Sequence, residues 1–121
     1  MTPPTHQEIM NYLITAEQRK ASHSTLYFEF QKGPFRNQHW AAHSVYLHAD
    51  IFDRLDMYDL FATSIPDFDY YMDTQVSPSQ YEVLKANAML YGGEIAVIFT
   101  ELDTWVTECF QQESCFTICG I

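Results

Sequence analysis

Three histidines in a short span, His39, His43 and His48, are the side chains of this sequence best suited to hold a metal or move a proton. His39 and His43 stand at i, i+4, which on a helix puts both imidazoles on one face, as helical zinc sites require. Trp40 follows His39 where that pattern needs a glutamate. The flanking residues read as strand or loop, where the same spacing separates the two positions by about 13 Å. A packed or surface role therefore suits them better. Asp67 and Asp69 form a carboxylate pair available for acid–base work, and alternation along a strand explains them equally well. Cys109, Cys115 and Cys119 are odd in number and confined to the C-terminal end, with no histidine beyond His48 to complete a zinc set. They read as buried, reduced thiols. Glycine spacing offers no phosphate loop: Gly92-Gly93 stops a helix, Gly33 lies in a turn and Gly120 is terminal. No nucleophile elbow is present. The expectation is a protein without catalytic residues, cofactor or metal. The alternative is a small metal- or ligand-binding enzyme using His39, His43 or His48 with Asp67 and Asp69.

Carboxylates are far more abundant than these candidates. The 121 residues carry 16 acids and 6 bases, a formal net charge of −10. Beyond Arg36 the balance is 13 acids to two bases, Arg54 and Lys85. A field of one sign repels nucleic acid and anionic membrane, and it attracts basic proteins. With 47% hydrophobic and 16% aromatic residues, this charge sits on a folded surface and not on a disordered tail. The length suits a single domain spanning residues 1–121. No basic-then-apolar leader opens the chain and no apolar run reaches a membrane span, so a cytoplasmic address is expected.

The elements that position these residues follow from periodicity and caps. Thr5 and Glu8 have the spacing of a capping box and predict a helix from about Thr5 to Lys20. Ser24 to Gln31 alternates as a half-buried strand, with Leu26, Phe28 and Phe30 inward. Val45, Leu47 and Ala49 favour a strand. Asp50 as N-cap with Asp53 at N3 predicts a helix from Ile51 to about Ala62. Phe68 to Val76 reads as a strand with its acids on one face. Ser77, Pro78 and Gln80 open a helix that Gly92-Gly93 closes. Ile95, Ile98, Leu102, Trp105, Val106 and Cys109 form the apolar stripe of another, from Glu94 to about Gln111. Cys115 to Ile121 suits a terminal strand. The fold class is α+β, one small domain with about four helices on a small, mainly antiparallel sheet.

On this frame the acids concentrate on two faces. Asp50, Asp53, Asp56 and Asp59 step by three and sweep obliquely across the helix face opposite Ile51, Phe52, Leu55 and Tyr58, with Met57 and Leu60 near the sweep. Only Arg54 is at hand to compensate them, so they repel one another at a small cost in stability. Asp67, Asp69 and Asp73 line the strand beside Tyr70 and Tyr71. Carboxylates for steering and aromatics for anchoring are what a surface for a basic protein needs. The expected partner-binding residues are Asp53, Asp56, Asp59, Asp67, Asp69, Tyr70, Tyr71 and Asp73.

A small, strongly acidic α+β chain without a catalytic motif resembles bacterial immunity proteins, such as those paired with contact-dependent growth-inhibition toxins. The resemblance is one of size, acidity and mix of elements, and it carries over no individual residue. It implies tight binding to a basic toxin domain, often a nuclease, with carboxylates standing where substrate phosphates would lie. The same acidity would also serve a nucleic-acid mimic that inhibits a DNA-binding protein.

Overall fold

Phe28 and Phe30 alternate with Tyr27, Glu29 and Gln31, and this period of two sends them to opposite faces of a central strand. The computed structural model describes residues 11–121. In chain order its elements are β1 (Ile14–Thr15), α1 (Ala16–Ser22), β2 (Tyr27–Lys32), β3 (Val45–His48), α2 (Ala49–Arg54), α3 (Met57–Ser64), β4 (Asp73–Val76), α4 (Pro78–Tyr91), α5 (Gly93–Phe110) and β5 (Phe116–Cys119). The strands form one sheet in the order β1-β3-β2-β5-β4, with every neighbouring pair antiparallel. The α+β class is as the sequence indicates.

One face of the sheet packs on helices. Phe28 meets Phe52 of α2 at 4.3 Å between ring centroids, and Phe116 meets Trp105 of α5 at 5.8 Å and Tyr81 of α4 at 5.9 Å. Full burial of such a ring contributes roughly 1.5–3 kcal/mol. The opposite face is also covered. Tyr27, Glu29, Gln31, Tyr46, Thr117 and Cys119 are all buried. The connection from β2 to β3 lies over this face: Gln31 donates to the Gln38 carbonyl, and Glu29 accepts from the Trp40 and Ala41 amides. The strand expected to be half-buried is buried on both sides, while Leu26 is exposed.

Four expectations shift. Thr5 and Glu8 lie outside the described residues, and the helix expected to reach Lys20 is replaced at Ile14–Thr15 by β1, paired with Tyr46 and Val45. The helix starts at Ala16 instead, with Thr15 and Gln18 forming the capping box. The acidic helix starts at Ala49, because β3 ends at His48 and the His48 imidazole Nδ1 accepts from the Asp50 N–H as its cap. It then breaks: Asp56 takes the left-handed conformation with φ 53°, and α3 begins at Met57. The break resets the helical phase, so Met57 and Leu60 enter the core and Tyr58 turns outward. It also makes the described helices five in place of about four. The strand expected from Phe68 is only Asp73–Val76, since β5 offers just Phe116–Cys119 to pair with.

The remaining helices follow the sequence. Ser77 and Gln80 close a reciprocal capping box with Pro78 in the first turn, and Gly92 at φ 67° ends α4. The α5 stripe is buried from Ile95 to Cys109. Among the described residues, no helix is long and apolar enough to cross a membrane.

Candidate functional site

Tyr70 joins the two acidic regions. Its ring packs edge-on against Phe28 at 5.1 Å and against Phe52 at 6.0 Å. Its hydroxyl donates to both carboxylate oxygens of Asp53, at 3.0 and 3.1 Å. Burial, then the Asp53 hydrogen bond and charge, push the Tyr70 phenol pKa up, so it stays a donor. The segment carrying it is held by the C-terminus: the Ile121 amide donates to the Tyr70 carbonyl at 2.8 Å and the Gly120 amide to the Met72 carbonyl at 3.2 Å. This approach requires glycine, because a Cβ at position 120 would stand 2.5 Å from the Tyr70 carbonyl oxygen. Asp69 shapes the next turn by accepting from the Tyr71 amide at 2.8 Å.

These constraints open a surface cleft of about 400 Å³ lined by Tyr58, Phe68, Asp69, Tyr70 and Tyr71. Tyr58 lies tilted against Phe68 at 5.9 Å, and Tyr71 leans edge-on against Tyr70 at 4.9 Å. Phe68 is the buried floor, whereas Tyr58 and Tyr71 are 46% and 72% exposed. Of the residues expected to bind a partner, Asp53, Asp69, Tyr70 and Tyr71 are brought together. Asp56, Asp59 and Asp67 are exposed but do not line the cleft. Asp73 lies opposite Cys119 in the sheet register and influences its thiol. Tyr58, Phe68 and Gly120 were not among the expected site residues. Only the break at Asp56 reveals Tyr58, and only the folded packing reveals Gly120.

The charge pattern around this surface is uncompensated. Among the described residues, Lys32 pairs with Glu108, Arg36 with Glu113, Arg54 with Glu94 and Lys85 with Asp103. None of these cations reaches Asp53, Asp56, Asp59, Asp67, Asp69 or Asp73. Arg54, the one base in the acidic helix, points at Glu94, and with Tyr12 it holds the Glu94 carboxyl below the usual range.

A second constellation lies on the other face of the sheet. Tyr46, Glu29, Cys119 and Asp73 form one row across β3, β2, β5 and β4. Ligand atoms of Glu29, His39 and Cys119 lie within 4.8 Å of one another, the one such group of three among the described residues. Sequence spacing hid this group, since pairing of β2 with β5 brings Cys119 to it. Glu29 Oε1 accepts from the Trp40 amide, and Oε2 from the Ala41 amide, the Ser44 hydroxyl and the Tyr46 hydroxyl. Burial, then the charges of Glu29 and Asp73, push the Cys119 thiol up to about 12, so it is a poor nucleophile at neutral pH. These three side chains could hold a metal ion only once that thiol gave up its proton. What Glu29 and Tyr46 do is fasten the loop to the sheet. The other two histidines are elsewhere: the His43 carbonyl accepts from the Trp105 indole, and His48 caps α2. No family model, curated protein or solved structure matches this chain.

Proposed function

We propose that this protein binds and neutralises a basic protein partner, as an immunity protein blocks a cognate nuclease toxin, and that it acts from the cytoplasm. The observation that carries the reading is the distribution of charge. Every described ion pair between a Lys or Arg and a carboxylate uses an acid outside the Asp53–Asp73 surface, which is left uncompensated beside exposed aromatic rings. Unpaired carboxylates repel each other in the free chain and are relieved by a partner's cations. The Tyr70–Asp53 hydrogen bond supports a single continuous surface, since it links the helix acids to the loop acids. Rings such as Tyr58 and Tyr71 supply the apolar anchoring that charge alone does not.

The test is capture from source cells at low and high salt, followed by an activity assay. A basic protein should be retained at low salt, its association rate should fall as salt rises, and its own activity should be inhibited on mixing. Reversing charge at Asp53, Asp56, Asp59, Asp69 and Asp73 together should abolish inhibition. Unchanged affinity in that variant would overturn the proposal.

A further inference from the structure

The cleft beside Tyr70 has the chemistry of a cation receptor. Its lining is four aromatic rings and one carboxylate, with no lysine, arginine or histidine. Aromatic faces attract a cation through their quadrupole, and a carboxylate at the rim supplies the counter-charge. Asp69 uses Oδ1 to accept from the Tyr71 amide, and its other oxygen makes no hydrogen bond among the described residues. The Asp53 carboxylate stands directly behind the Tyr70 hydroxyl.

The chain has little with which to fill this cleft itself. Residues 1–10 contain no lysine or arginine. Arg19 lies over the Trp40 ring at 4.3 Å, Lys32, Arg36, Arg54 and Lys85 are each engaged by an acid elsewhere, and Lys20 sits in the last turn of α1 and does not line the cleft. Among the described residues, no cation of the chain lines the cleft.

We infer that the cleft formed by Tyr58, Phe68, Asp69, Tyr70 and Tyr71 receives an arginine side chain from the partner. The inference rests on the proposed binding of a basic protein and names the residue that this surface reads. Arginine is favoured over lysine by the aromatic lining of the site. A guanidinium is planar, stacks on tyrosine faces, sheds water more readily than an ammonium and presents several donors to Asp69. Lysine would feel the same charge without the stacking. The acidic surface then steers any basic partner, and the cleft selects one that offers an arginine.

The experiment compares oligoarginine and oligolysine peptides of equal length and charge binding to the full chain at low salt. Oligoarginine should bind about three- to tenfold more tightly. Tyr58→Ala and Tyr71→Ala alter exposed rings of the cleft and should weaken oligoarginine more than oligolysine, removing that preference. Asp69→Asn, which keeps the acceptor for the Tyr71 amide, should weaken oligoarginine more than oligolysine. Proton NMR of an arginine amide gives a readout that needs no variant, because side-chain methylenes held over the rings shift upfield. Equal affinities in the parent protein, a preference that survives both tyrosine variants, or absent upfield shifts would each overturn the arginine assignment while leaving the acidic-surface reading in place. If neither peptide bound, that broader reading would fail as well.

Discussion

At the scale of single residues, Glu29 and Cys119 govern what the covered face of the sheet can do. Glu29 is buried and accepts four hydrogen bonds, each from the loop or from β3. Glu29→Gln turns an amide N–H₂ toward donors, so urea unfolding should show a loss of roughly 2–4 kcal/mol with an unchanged m-value. Ser44→Ala removes one donor and should cost about 1 kcal/mol. The Cys119 thiol is raised from 9.0 to about 12, so the folded chain keeps a proton that the unfolded chain releases near 9. Stability is therefore unaffected below pH 9 and falls as pH climbs toward 12. Cys119→Ala should lessen this decline between pH 9 and 10, where Cys109 and Cys115, also raised by burial, account for the remainder, while Tyr46 and Tyr81 add to it from pH 10 upward. Burial of Cys119 as a free thiol was legible in sequence, but the contacts of Glu29 were not. Alternation correctly put Glu29 opposite Phe28 and Phe30, but whether that face meets water depends on a loop whose route no local pattern specifies.

At the scale of elements, what the sequence revealed divides by the kind of signal. Caps and stripes that act within one helix were legible, as the Ser77–Gln80 box and the α5 stripe illustrate. Features set by a distant partner were not. Phe68 to Met72 has the alternation of a strand yet no facing strand to pair with, so it becomes a loop fastened by Gly120 and Ile121. Gly120→Ala would force its methyl against the Tyr70 carbonyl and the Met72 amide, and the loop must move. We expect a loss of about 1–3 kcal/mol, faster hydrogen exchange at Ile121 and loss of arginine-peptide preference. The break at Asp56 lies between these cases. An aspartate tolerates the left-handed conformation better than most residues, and glycine does so without strain. Asp56→Gly should raise stability by up to about 1 kcal/mol, and Asp56→Val should lower it by about 1–2 kcal/mol, both read from urea midpoints. A helix continuous from Ile51 to Ala62 would predict the opposite sign for glycine, since glycine weakens a helix interior.

At the scale of the whole molecule, a net charge of −10 makes two opposite demands on the same carboxylates. In the free protein they repel one another, and burial of the core must overcome that repulsion. In a complex with a basic partner they attract, and the attraction is screened by the ions that relieve the repulsion. Raising salt from low to about 0.5 M should therefore raise the thermal midpoint of the free chain while lowering its association rate with the partner. The acids already paired, Glu94, Glu108, Glu113 and Asp103, should contribute little to either trend, because each has a cation within 3.2 Å. Neutralising Asp53, Asp56, Asp59 and Asp69 to asparagine should therefore flatten both salt profiles together. If the stability profile flattened while the association profile did not, the partner would be reading charge elsewhere on the molecule. The pairing of Arg54 with Glu94 makes this separation possible, since it removes the single base that would otherwise neutralise part of the helix face from within.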